Sequence, residues 1–226
     1  MLSILIPCFN EEKIIYENIK KIINWSNEQK FKTEIIIINN ASTDDTEKEL
    51  SKLKEENNIE ILYEKAKGKG FAVKKGLEEC KYNKTVILDA DLSADIKELK
   101  NEWLEKDNLL IIGSRPLGKE INTPAIRMLS GSILNFIIRK IFKLNYVDTQ
   151  CGFKYLSTKE MKKISTELTC GGFLYDLDLI LKCLKLGIAV KEKPVTYYFN
   201  RDSSVSLLRD PLIMLKDLYL IYKKYK

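Results

Sequence analysis

Residues 85–95 read TVILDADLSAD. The run from Thr85 to Leu88 is apolar on both faces, as a strand buried inside a parallel sheet must be, and it stops abruptly at Asp89, Ala90 and Asp91. In an extended segment residues i and i+2 point to the same side, so these two carboxylates converge just past a strand end. That edge is where an open α/β sheet binds its ligand. Hard oxygen donors with no imidazole or paired thiolate nearby suit Mg2+ or Mn2+, whose remaining positions diphosphate oxygens and water can fill. A DxD alone also fits a polar turn with a helix cap; the position after a buried strand gives this one its chemical meaning.

Working outward, the same alternation repeats. Residues 2–6, 34–38, 59–63 and 109–112 are further apolar runs. Between the strands lie helical patterns at 11–27, 44–56, 69–80 and 95–104, with Asn10, Thr43 and Asp95 as expected caps. This predicts a β/α fold with right-handed crossovers. IPCFNEE follows the first strand and INNASTDDT the second, so three strand ends carry small polar or acidic residues at the edge that binds nucleotides. KGKGFAVKKG has the spacing GxGxxxxxG rather than GxGxxG and reads as a helix-start anion site with Lys69 near a phosphate, or as a plain glycine turn.

The second half breaks the alternation. Residues 124–142 form an apolar helical pattern with basic residues, 147–157 a turn into a short strand, 172–187 a helix ended by Gly187, and 188–199 a late strand. Asp210 as cap and Pro211 at the first helical position open a basic, aromatic terminal helix.

With 226 residues, 45% apolar and 31% charged, the chain is an ordinary globular one, and no linker, repeat or low-complexity tract divides it: a single domain is expected. There is no histidine, which excludes Ser-His-Asp and Cys-His pairs, HExxH zinc sites and His-ligated metals. Cys8, Cys80, Cys151, Cys170 and Cys183 are odd in number with no CxxC, and read as free thiols in a reducing compartment. The first residues read as a strand rather than a signal peptide, and the longest uncharged stretch, 128–138, is far below the roughly 20 residues of a membrane span. The net charge of +6 fits an anionic partner, with nucleic acid, anionic lipid and phosphorylated metabolite all open on charge alone.

IPCFNEE, INNASTDDT, GKGFAVKKG, DADLSAD, GSR, VDTQCGFK and a late aromatic strand followed by Arg201 stand in the order and approximate spacing of glycosyltransferase family 2. The resemblance spans nearly the whole chain and is nearest to the branch that transfers a hexose to dolichyl or another polyprenyl phosphate, with VDTQCGFK (147–154) the most branch-specific piece. It implies a GT-A fold, a Rossmann-like, mostly parallel sheet flanked by helices. Residues 1–115 would form the nucleotide-sugar half and 116–226 an acceptor-side half with interfacial helices.

The resemblance implies an inverting, metal-dependent transfer. It places Pro7, Phe9, Glu11 and Asn40 around the base and ribose, Asp89 and Asp91 at the metal and diphosphate, and Arg201 over the diphosphate; Arg115, Arg127 and Ser130 approximately match acceptor-phosphate contacts. The implied partners are a UDP- or GDP-hexose, a polyprenyl phosphate and a membrane surface, with no nucleic acid; the implied location is cytoplasmic and peripheral to the membrane.

Several positions depart from the family. The usual DDGS is Asn39, Asn40, Ala41 and Ser42, Ser93 replaces a common Gln, and Ser203 and Val205 stand where Gly and Lys are usual. An asparagine can donate as well as accept, which leaves the base open among uracil, guanine and cytosine. Asp148 reads as acceptor-orienting residue, base or turn cap; Asp176 and Asp178, about 200° apart on a helix, read as structural. Tyr197, Tyr198 and Phe199 read as strand core rather than a sugar platform.

A phosphate monoester, with a second pKa of about 6, is already anionic at neutral pH and needs orientation more than a base. A sugar hydroxyl acceptor would require a carboxylate base, for which Asp148 is the candidate. A non-catalytic nucleotide-binding or membrane-binding module is the reading from another class.

Overall fold

The computed structural model describes residues 1–168, 170–200 and 210–226. Strands β1 (Leu2–Cys8), β2 (Thr33–Asn40), β3 (Ile59–Glu64), β4 (Lys84–Ile87), β5 (Leu109–Ile121), β6 (Lys154–Ser157) and β7 (Ala189–Tyr198) alternate with helices α1 (Ile15–Asn27), α2 (Thr46–Ser51), α3 (Lys69–Glu79), α4 (Asn101–Leu104), α5 (Ala125–Phe142), α6 (Thr158–Ser165), α7 (Tyr175–Lys185) and α8 (Asp210–Tyr225). The strands make one sheet in the order β3-β2-β1-β4-β6-β5-β7. All residues of β1 and β2 are buried, because both faces of the sheet are covered. Ile4, Ile6, Ile35 and Ile37 point to the face where α1 supplies Ile15, Ile19 and Ile22. Leu5, Ile36 and Ile38 point to the opposite face, against Val73 and Leu77 of α3 and Leu177 and Ile180 of α7.

The chain runs outward from β1 to β2 and β3, then returns to place β4 on the other side of β1. The crevice between the carboxyl ends of β1 and β4 is therefore a topological switch point, the place where doubly wound sheets bind ligands. Phe9 to Glu11 leave β1 there, and Asp89 to Asp91 leave β4.

The sheet is mostly parallel, as the resemblance implies, with β6 running antiparallel between β4 and β5, a direction that apolar periodicity cannot report. Several expectations about element bounds and caps are corrected. Helix α1 begins at Ile15, not Glu11; Asn10, at φ 54°, instead accepts from the Thr43 amide at 2.8 Å. Thr43 does not cap α2; Asp44 accepts from the amide and hydroxyl of Thr46 at 3.0 and 2.6 Å. Asp95 caps as expected, accepting from the Lys97 amide at 2.9 Å, but it opens a 3-10 turn over Ile96–Glu98, and only then comes the short α4. Strand β5 extends nine residues beyond its apolar run because β7 pairs with it in parallel, with a register shift between Ser114 and Lys119. Helix α6 has no counterpart among the expected elements. The terminal helix is described over Asp210–Tyr225, and the expected cap falls at the edge of the described residues.

Two polar clasps hold the second half of the chain. The fully buried Lys154 of β6 forms an ion pair with Asp176 of α7 at 2.7 Å and donates to the Cys151 carbonyl. Asp178 accepts from Lys224 at 3.0 Å, from the Tyr225 hydroxyl at 2.7 Å and from the Cys170 amide at 3.2 Å, tying α8 to α7. Asp176 and Asp178 are thus each held in an ion pair. All five cysteines are buried free thiols, and burial first, then Asp148, pushes Cys151 up to about 12.

Candidate active site

The Asp89 carboxylate lies against the backbone of Gly152: a Cβ there would stand 1.8 Å from Oδ2. The glycine of the VDTQCGFK stretch is thus required by the side chain it faces. Lys69, first residue of α3, forms an ion pair with Asp89 Oδ1. Burial opposes ionisation of Asp89, but Lys69, with Lys154 and Arg115 beyond it, holds the carboxyl below its ordinary range. Asp91 is raised instead, first by burial and then by the like charge of Asp89, while its Oδ1 accepts from the Ser93 amide at 2.9 Å.

A crowded carboxylate pair with one member pushed toward the neutral form gains from a dication, so the donors fit Mg2+ or Mn2+. Among the described residues no third His, Cys, Asp or Glu joins them, which leaves the other positions of an octahedral ion to substrate oxygens and water.

The turn before β6 is fixed from three sides. Glu192 of β7 accepts from the Val147 and Asp148 amides at 2.8 and 2.7 Å. Asn135 of α5 accepts from the Thr149 amide and hydroxyl at 3.0 and 2.9 Å. The wholly buried Asp148 grips Arg115 through both oxygens, at 2.6 Å from Nε and 2.9 Å from Nη2. Burial works against the Asp148 charge, but Arg115 and the Gln150 amide hold its carboxyl below the ordinary range.

Arg115 stands where the β5–β7 register breaks, the kind of irregularity that redirects a side chain. Its guanidinium lies 5.4 Å from the ring of Tyr197, and that of Arg127 lies 4.9 Å from Phe199. Since 197 and 199 share a side of the strand, β7 and its extension bring the two arginines to one side of the sheet end. The DxD loop is joined there too, by the Tyr198 amide donating to the Ser93 carbonyl at 2.7 Å. Tyr197 and Phe199 are accordingly arginine supports rather than core, and Tyr198 is exposed. Ser130 is exposed, its hydroxyl donating to the Arg127 carbonyl at 3.0 Å.

Of the residues expected around the nucleotide, Pro7 is buried in β1 opposite Ile38, and the Phe9 ring carries the Lys67 ammonium at 4.2 Å. The Glu11 amide donates to Thr46 Oγ1 at 2.8 Å, beside a cavity of about 120 Å3 lined by Asn10, Glu11, Glu12, Lys13, Ile14 and Asp44. Asn40 is buried, with its amide engaged on both sides: Nδ2 donates to the Ala66 carbonyl at 2.7 Å and Oδ1 accepts from the Gly68 amide at 2.8 Å. An aspartate could not donate to Ala66, which gives this departure from the family pattern a structural reason. Arg201 lies outside the described residues.

Sequence reasoning missed Lys154, Glu192 and Asn135. One signal was present: a lysine between Phe153 and Tyr155 in a buried strand demands a partner carboxylate.

Residues 3–164 match the glycosyl transferase family 2 profile. The chain is 27% identical to the dolichyl-phosphate beta-glucosyltransferase of Dictyostelium discoideum over 99% of its length and 74% of the relative's. The Saccharomyces cerevisiae protein of that name is 28% identical, over 99% of this chain and 75% of its own. The chain thus spans about three quarters of these relatives. Glucosyl-3-phosphoglycerate synthase from Mycobacterium tuberculosis superposes with a TM-score of 0.71 at 16% identity, over 99% of this chain and 81% of that one. It has also been solved with Mn2+, UDP-glucose and phosphoglyceric acid, again at a TM-score of 0.71. Sheet order, strand-end carboxylates and these matches agree: the chain belongs to glycosyl transferase family 2 and is a glycosyltransferase of GT-A fold.

Proposed function

We propose that the protein transfers a hexose, glucose in the first instance, from a nucleoside diphosphate sugar to a polyprenyl phosphate at a membrane surface, with inversion. The engagement of Asp148 carries this reading. A hydroxyl acceptor needs a general base near neutral pH, whereas Asp148 has both oxygens on Arg115 and a lowered pKa. Asp176, which joins Asp89 and Asp91 in the charge field of Lys69, is paired with Lys154. A phosphate monoester, already anionic at neutral pH, needs only to be held in line.

Arg115 and Arg127, steadied by Tyr197 and Phe199, are placed for that task. Asp148 serves as the positioning residue of Arg115. Lys69 binds the donor diphosphate, and Asp89 and Asp91 hold Mg2+ or Mn2+, which would supply charge stabilisation for the departing diphosphate. Arg201 is proposed to add to that stabilisation. Glucose and UDP are favoured by the names of the curated relatives and by the UDP-glucose complex of the structural neighbour.

The test is incubation with Mn2+ or Mg2+, a panel of UDP-, GDP- and CDP-hexoses and a polyprenyl phosphate, followed by mass spectrometry of the lipid fraction. A hexosyl phospholipid formed from one donor is expected. Transfer to a glycan hydroxyl with none to the phosphate would overturn the acceptor assignment.

A further inference from the structure

The ammonium of Lys69 lies on Asp89, the carboxylate assigned above to the divalent cation. Lys69 is held at its backbone and Asp89 at its carboxylate. Gly68 takes φ 145°, the Gly70 amide donates to the Gly171 carbonyl at 2.9 Å, and a Cβ on Gly70 would stand 2.5 Å from the Cys170 carbonyl oxygen. The start of α3 is therefore clamped to residues 170 and 171, while Gly152 backs Asp89. Only the four-carbon stem of the lysine is free to swing. Its ammonium also faces the Tyr175 ring at 5.7 Å.

A dication on Asp89 and Asp91 and an ammonium on Asp89 Oδ1 would be rivals: both draw on the Asp89 carboxylate, and like charges repel at this range. A diphosphate beside α3 changes the balance by giving the ammonium an anionic partner elsewhere. We infer that Lys69 is a tethered counter-cation that competes with the divalent metal for Asp89 and releases it when a donor diphosphate draws the ammonium away, so that metal and nucleotide bind interdependently. This rests on the reading of Asp89 and Asp91 as the metal ligands. By linkage the dependence is reciprocal.

Titration calorimetry with Mn2+ alone, UDP alone and both together, on the wild type, Lys69→Gln, Lys69→Arg and Asp91→Asn, tests it. Lys69→Gln should bind Mn2+ alone about threefold to tenfold tighter, because one partly exposed ion pair no longer has to be broken. It should bind UDP more weakly at saturating Mn2+, and the factor by which UDP raises Mn2+ affinity should shrink. Lys69→Arg keeps the charge and should stay near the wild type. Lys69→Met, which keeps most of the stem, replaces Lys69→Gln if thermal melting shows the latter misfolded. Unchanged or weaker Mn2+ binding in the charge-removing variant, with binding still lost in Asp91→Asn, overturns the competition alone. Wild-type Mn2+ affinity in Asp91→Asn removes the metal assignment, and the inference with it.

Discussion

At the scale of single residues the site is defined by what each carboxylate faces. Asp91 is crowded by Asp89 and bordered by the Ser93 amide, so Asp91→Asn removes a metal donor without opening the core. The expected result is a loss of transfer of about a hundredfold or more with the melting temperature kept, read by turnover and calorimetry. Gly152→Ala should act on the same chemistry from behind, since its methyl would strike the Asp89 carboxylate; wild-type turnover in that variant would mean that Asp89 tolerates displacement. Asp148 makes a different prediction. Its folded pKa lies below the unfolded value of about 3.9, so the ionised form is the one that folding favours. Its contribution is complete above about pH 4 and is lost as pH falls through the folded value. Asp148→Asn should therefore cost about 2–3 kcal/mol at pH 7, the low end for a broken buried pair because Arg115 is partly exposed, and the gap to the wild type should close in strong acid. Urea denaturation at pH 7 and at successively lower pH, down to about pH 2, measures both.

Elements differ in how plainly they were written in the sequence. The isoleucine-rich β2 and the run before Asp89 could only be buried strands, and with them came the switch point and the carboxylates proposed to hold the metal. Helix α2 ends at Ser51 rather than Glu56 because the charged stretch beyond it offers only Leu53 as a buried anchor. Helix α6 escaped notice because its eight residues carry only Met161 and Ile164 as apolar contacts, too few to establish a period. Arg115 and Asp148 are 33 residues apart, and nothing local to either announces the pair; it exists because β6 inserts beside β5. The same holds for the clasp between α7 and α8, which joins Asp178 to residues 46 and 47 positions away. Tyr225→Phe should cost about 1 kcal/mol, one hydrogen bond. Asp178→Ala should cost about 3 kcal/mol, since it strands the Lys224 ammonium and the buried Cys170 amide together. Wild-type urea midpoints in both variants would show that α8 is held by its apolar face alone.

At the scale of the whole molecule the apolar surface is unevenly distributed. Helix α5 buries only Asn135 and Ile138, while Ile126, Leu129, Ile133, Phe136 and Ile137 form an exposed stripe, with Ile126 66% and Leu129 62% accessible. Arg139, Lys140 and Lys143 follow at its carboxyl end, and α8 adds exposed Leu215, Tyr219 and Leu220 near Lys216 and Lys223. Among the described residues no helix is long and apolar enough to cross a membrane. An apolar stripe ending in cations suits the interface of an anionic bilayer, each basic residue near the surface adding about 1 kcal/mol and a well-buried Phe136 or Ile133 about 1.5–3 kcal/mol. The protein should therefore float with anionic vesicles at low salt and detach as salt rises. Ile133→Ser with Phe136→Ser should weaken flotation strongly and shift stability by no more than about 0.5 kcal/mol, because neither side chain is in the core. Screening acts on the cations and not on the stripe, so the double variant should also detach at lower salt than the wild type. Absence from the lipid fraction under every condition would mean that α5 docks elsewhere and would turn the acceptor assignment toward a water-soluble glycan.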